Sequence, residues 1–197
     1  MPGVNERVRF VGVETLSADW ATLNKTTFEW QRADGSWRRE ARETYDRGDG
    51  ATIFLHDPDA GTVLLTRQFR LPAFVNGHPD GMLIEAPAGL LDAEDAETAI
   101  RREAEEETGV RVGEVRRLFE VFMSPGSVTE RIAFFAAPYS HADRVGAGGG
   151  LAHDGEDIEV LELPLARALA MAGSGEIADG KTIMLLQWAR IEGLAGC

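Results

Sequence analysis

Polar and β-favouring residues alternate through positions 26–31, break at Asp34-Gly35 and resume over 36–45, the pattern of two antiparallel strands joined by a tight turn. Apolar runs over 51–56 and 62–70, separated by Asp57-Pro58-Asp59-Ala60-Gly61, predict a second strand pair, and 82–85 predicts a further short strand. Residues 95–108 read differently. Helix formers fill the segment, Asp95 stands at the N-cap position and Gly109 follows as a stop. Beyond it, 115–123, 131–139 and 158–163 return to strand character, and helices are expected over about 164–172 and 180–192. The glycine-rich stretch 141–155 is the candidate mobile loop. Strands, one central helix, more strands and terminal helices predict an α+β layered domain.

Composition narrows the function more than the fold. The chain has 197 residues, 44% of them hydrophobic, enough for one sizeable core and a small extra lobe. No apolar run approaches the roughly 18–20 residues that cross a bilayer, and residues 1–10 include Glu6 without the apolar stretch of a signal peptide, so no membrane partner and a cytoplasmic location are expected. Cys197 is the only cysteine, which excludes an intrachain disulfide and a cysteine metal cage. With 20 Lys+Arg against 33 Asp+Glu the net charge is −13, the wrong sign for a general nucleic-acid binder. A small anionic substrate stays open if metal ions stand between it and the carboxylates.

Such carboxylates are concentrated on the central helix. At 3.6 residues per turn Glu103 and Glu107 share one face, with Glu106 beside them. Like charges in this arrangement destabilise a helix unless they are neutralised. A divalent cation would do so, and hard oxygen ligands suit Mg²⁺ or Mn²⁺. A solvated acidic face is the bland alternative.

The neighbourhood decides between them. Glu85-Ala86-Pro87-Ala88-Gly89 precedes the helix, and residues 89–110 closely resemble the signature of the Nudix hydrolase superfamily, G-x5-E-x7-R-E-U-x-E-E-x-G-U with U a bulky aliphatic. Arg102, Glu103, Glu106, Glu107, Gly109 and Val110 match position by position. Ala104 is small where U is expected, and the stretch from Gly89 to Arg102 is one residue shorter than the general signature. Flanking segments extend the similarity from about residue 16 to 187, among them Tyr45-Asp46-Arg47-Gly48, Arg67-Gln68-Phe69-Arg70, Met123-Ser124-Pro125-Gly126, Gly148-Gly149-Gly150 and Asp179-Gly180-Lys181-Thr182. These resemble the bacterial GDP-mannose pyrophosphatase branch.

The resemblance implies a Nudix fold, an α/β/α sandwich around a mixed sheet (49–197), preceded by an antiparallel β-region (1–48) for dimerisation and base recognition. It implies hydrolysis of a nucleoside diphosphate sugar by a Mg²⁺-dependent homodimer. Glu103, Glu107, the Ala88 carbonyl and Glu156 would hold metal, with Glu106 as auxiliary and Arg102 steadying the carboxylates. Glu156 would supply the loop base, with Asp154 and Asp157 as alternative carboxylates. Arg70 and Lys181 would meet phosphate or sugar, Gly89 would approach the substrate, Trp20, Arg42 and Glu43 would hold base and ribose, and Glu130 the sugar phosphate. For Arg70 the other reading is a surface arginine paired with an acidic neighbour. ADP-ribose or ADP-sugar hydrolysis, and a non-catalytic nucleotide-sensing module, are the alternatives at the level of function. His56, His78, His141 and His153 show no ligand spacing.

Overall fold

The computed structural model describes residues 6–151, 155 and 157–194. Three strands are nearly continuous in buried residues: β4 (Gly50–Asp57), β5 (Thr62–Phe69) and β9 (Arg131–Pro138). Burial along the whole strand suits central positions covered on both faces. They lie at the middle of a seven-stranded sheet of order β10-β5-β4-β9-β8, where β8 is Arg116–Phe122 and β10 is Glu159–Pro164. β6 (Met82–Glu85) pairs with β5, and β7 (Ala88–Leu90) pairs with β4. β4 runs antiparallel to β5, with Leu55 opposite Leu64, and parallel to β9, with Ile53 opposite Phe135. The sheet is therefore mixed.

Alternation along the central strands assigns the layers. Ala51, Ile53 and Leu55 of β4 join Ala133, Phe135 and Ala137 of β9 in one core with Ile100 and Ala104 of α2 (Ala96–Thr108). Phe54 points the other way and meets Trp188 of α4 (Gly180–Ile191) edge-on, centroids 5.9 Å apart, with α3 (Leu165–Ser174) packed beside α4. Helices on both faces of a mixed sheet make an α/β/α sandwich.

The chain divides into two compact units. The sandwich is one. The other comprises the described residues up to Asp49 with Phe122–Arg131, built on an antiparallel sheet β1-β2-β3 (Val8–Ala18, Thr22–Gln31, Trp37–Asp46). Its second segment bonds along β3: Tyr45 N–H donates to the Ser127 carbonyl (2.8 Å) and Thr129 N–H to that of Tyr45 (3.1 Å).

Local structure differs from the sequence reading in four places. β1 precedes the first strand expected, and a short helix α1 (Leu71–Val75) with a proline in its first turn interrupts the stretch after β5. Ala88–Leu90, to which the sequence reading gives no element, is a short strand. The glycine stretch expected to be mobile is instead bonded to α2 over its described part. Gly149 and Gly150 N–H donate to the carbonyls of Glu107 and Glu106 (2.9 and 3.1 Å), and Val145 and Gly146 N–H to that of Gly109 (2.8 and 3.2 Å). A helix ends with carbonyls lacking intrahelical partners, and this segment supplies them.

Candidate active site

Helix α2 starts where the sequence expects. Asp95 accepts from the N–H groups of Glu97 and Thr98 (3.1 Å each), and Gly109 closes the helix at φ 73°. The shortened connection before it is a tight turn in which Glu94 N–H reaches the Leu91 carbonyl (2.7 Å). Asp92 (φ 43°) and Ala93 (φ 70°) both occupy the left-handed region there. The missing residue is absorbed as backbone strain outside the helix, so the glutamates keep their register. Ala104, small where the signature expects a bulky aliphatic, is fully buried in the core.

The helix presents its glutamates to β7. Glu107 is 3% exposed, and its Oε2 accepts from the Ala88 N–H at 3.2 Å. Gly89 abuts Glu103 so closely that a Cβ would overlap the Glu103 carboxylate. Arg102 gathers the remaining charge, with Nη1 3.0 Å from Glu103 and 2.9 Å from Glu106, and Nε 3.3 Å from Glu94. Burial disfavours the Arg102 cation, but Glu103 and Glu106 outweigh that and push its pKa up.

A second charged centre adjoins through β6. Glu85 is 2% exposed and accepts from Arg70 through both oxygens (Nε 2.7 Å, Nη2 3.2 Å), while Lys181 pairs with the same Oε2. Lys181 also lies 3.0 Å from Asp179, the N-cap of α4. Burial alone would raise the Glu85 pKa; the charge of Lys181 and the Arg70 fork reverse this and hold it below the usual carboxylate range. Burial likewise opposes the Arg70 charge, and Glu85 prevails, aided by the charges of Glu107 and Asp179. Thr182 completes the link: its hydroxyl donates to Asp179 and accepts the Ala86 N–H, both at 2.6 Å.

The other candidate residues lie in the N-terminal unit. Arg42 and Glu43 line a cleft of about 700 Å³ that also includes Phe10, Phe28, Phe122 and Val128. Trp20 is 75% exposed, with the Arg47 guanidinium 5.7 Å from its ring centroid, and Arg47 in turn lies 3.1 Å from Glu130. The sequence reading grouped Ala88, Gly89, Glu103 and Glu107, and Arg70 with Lys181, but gave no role to Glu85, the common partner of Arg70 and Lys181, or to the bridging Arg47, although both stand in the matching segments. A further signal for Glu85 is a carboxylate closing an otherwise apolar strand, Met82-Leu83-Ile84-Glu85. Glu156, and with it Asp154, lies outside the described residues.

A family model described as the NUDIX domain matches residues 46–185. The chain belongs to the Nudix family. A further model, the GDP-mannose pyrophosphatase NudK N-terminal domain, matches residues 7–45, ahead of the Nudix domain. This Nudix chain is 56% identical over 179 residues to a GDP-mannose pyrophosphatase of Klebsiella pneumoniae subsp. pneumoniae, covering 91% of the chain and 89% of that relative. It is 55% identical over 186 residues to a GDP-mannose pyrophosphatase of Pectobacterium atrosepticum, covering 94% and 95%. A crystal structure of an ADP compounds hydrolase shares the fold at TM-score 0.71 and 17% identity, covering 98% of this chain and 99% of that one.

The Nudix helix also bears on metal. Among the described residues no three His, Cys, Asp or Glu side chains are gathered into a metal cage. Mg²⁺ does not ask for one, since it commonly uses one or two carboxylates and completes its shell with water and substrate phosphate. The Glu103 and Glu107 carboxylates, both brought against β7, are oxygen donors that fit such an ion, and Gly89 leaves the room they occupy.

Proposed function

We propose that the protein hydrolyses the pyrophosphate bond of a nucleoside diphosphate sugar, GDP-mannose, to GMP and mannose 1-phosphate. The observation that carries this reading is similarity over nearly the whole chain, N-terminal unit included, to relatives named for that activity. The Nudix helix supplies the chemistry, and the flanks select the substrate.

In this reading Glu103, Glu107 and the Ala88 carbonyl hold Mg²⁺, or Mn²⁺, which when bound neutralises phosphate oxygens and acidifies water. Arg102 keeps the helix carboxylates apart and oriented. Arg70 and Lys181 bind the diphosphate, and Gly89 lets the main chain approach it. Glu156 takes the proton from the attacking water, an assignment resting on the sequence alone. Trp20, Arg42 and Glu43 hold base and ribose, with the Trp20 ring available for stacking. Glu130 faces the sugar phosphate.

A homodimer belongs to the same reading. Phe10, Val11, Val13 and Leu16 of β1 are exposed, apolar side chains that a second subunit would cover. No helix among the described residues is long and apolar enough to cross a membrane. A cytoplasmic location also fits a chain with a single cysteine.

Turnover of GDP-mannose and ADP-ribose at equal concentrations with Mg²⁺, products identified, tests the reading. Release of GMP with a strong preference for GDP-mannose is expected, and EDTA abolishes it. Preference for ADP-ribose overturns the substrate assignment.

A further inference from the structure

Glu85 has no place in the reaction outlined above, yet it is among the most buried carboxylates of the sandwich and holds two cations that come from distant parts of the chain. Arg70 sits just past the end of β5, at the N-cap of α1, and Lys181 in the first turn of α4. Both reach Oε2 of the same carboxylate, so the pair of positive charges is fixed at close range. Two cations so close repel each other unless a buried anion lies between them.

The orientation of the cluster is directional. The Glu85 side chain is 3% exposed, whereas that of Arg70 is 40% exposed. Arg70 spends its Nε and Nη2 edge on Glu85, and among the described residues its Nη1 donates to nothing. A guanidinium anchored through one edge keeps the other for an anion, and a diphosphate takes such a fork well. A pair serving stability alone gains nothing from an outward cation with unused donors, since replacement of a buried ion pair by apolar residues is often neutral or stabilising.

We propose that Glu85 is a positioning residue: its buried carboxylate, with the buried Lys181 on its other side, locks Arg70 into one arrangement that presents the free edge of its guanidinium to the substrate diphosphate. This rests on the reading of the substrate as a nucleoside diphosphate. Glu85 touches no reacting atom and acts through Arg70.

The test uses inorganic pyrophosphate as a probe, its affinity measured by calorimetry in EDTA, beside the kinetics of GDP-mannose hydrolysis with Mg²⁺. Glu85→Gln is expected to weaken pyrophosphate binding and to raise KM about tenfold, with kcat changed less than about threefold, because the binding lost is shared by ground and transition states. Glu85→Asp keeps the buried charge but retracts it by one methylene. It should show the same direction at smaller size, and it serves should the Gln variant not fold. In an Arg70→Ala/Lys181→Ala background, Glu85→Gln should change pyrophosphate affinity little, since the interaction it supports is gone.

Tighter binding in Glu85→Gln would show that Glu85 merely neutralises the cations, and would overturn the proposal. So would a lowered Tm with affinity and KM unchanged, or a wild-type protein that binds no pyrophosphate. If the wild type binds pyrophosphate but does not turn over GDP-mannose, the substrate reading fails, and the pyrophosphate affinities of the Glu85 variants alone decide the role of Glu85.

Discussion

Gly89 and Glu103 occupy neighbouring space with no allowance for a side chain: any Cβ on Gly89 would overlap the Glu103 carboxylate. The two lie on different elements, a three-residue strand and a helix, and their approach sets where the Glu103 carboxylate can be. Gly89→Ala should therefore displace Glu103 and lower turnover by about tenfold or more, with a smaller effect on the fold. Steady-state kinetics beside a thermal melt check this; unchanged turnover would separate Gly89 from the metal site.

Glu103→Gln and Glu107→Gln should each lower kcat by about 100-fold or more, because the metal contributes several kcal/mol of barrier reduction. Folding should survive. In the buried Glu107 position the amide oxygen of Gln can still accept from the Ala88 N–H. Circular dichroism melts and Mg²⁺ titrations of activity measure the two outcomes separately.

The glycines after β9 should act on stability. Gly148 has φ +70°, and a Cβ there would run into the main chain of Glu107 and Thr108. Gly148→Ala should cost about 1–3 kcal/mol, as a residue forced into a disfavoured conformation against fixed backbone. Urea denaturation reads the loss. A variant as stable as wild type would show that the segment is not held on α2 in solution.

The turn before α2 predicts the opposite sign. Ala93 sits at φ 70° and glycine relieves that strain, so Ala93→Gly should stabilise by about 0.5–1 kcal/mol, net of the entropy glycine adds to the unfolded chain. The same denaturation experiment decides it.

Glu85 couples stability to pH. Its folded pKa lies below the ordinary value of 4.5, so the unfolded chain takes up a proton first as pH falls. The stabilisation is present above pH 4.5 and is lost as pH drops through the lower, folded pKa. The Tm gap between wild type and Glu85→Gln should be constant near neutrality and shrink below pH 4.5. A gap that persists at the lowest accessible pH would mean that the ionised form is not favoured by folding.

Much of this site was legible before any coordinates. Asp95 and Gly109 mark helix α2 because caps are local chemistry, and the i, i+4 spacing of Glu103 and Glu107 is fixed by helical geometry. β1 was not legible because its apolar residues, Val8, Phe10, Val11, Val13 and Leu16, keep no period of two, in step with the register shifts at Phe10/Gly12 and Thr15/Ser17 in its pairing with β2. The glycines of 148–150 suggest a mobile loop by composition, but their role depends on what approaches them, and that is the end of a helix some 40 residues earlier in the chain.

The sequence by itself determined the helix, its caps, the spacing of its carboxylates and the family, since each of these is carried by residues within a few turns of one another. Only the tertiary structure decided that Arg70, Glu85 and Lys181 meet, that Ala88 N–H faces Glu107, and that the glycines dock on α2. Those contacts depend on the pairing of β5 with β6 and of β4 with β7 and on the helices packed across the sheet, and pairing between separate segments leaves no periodic trace in the chain.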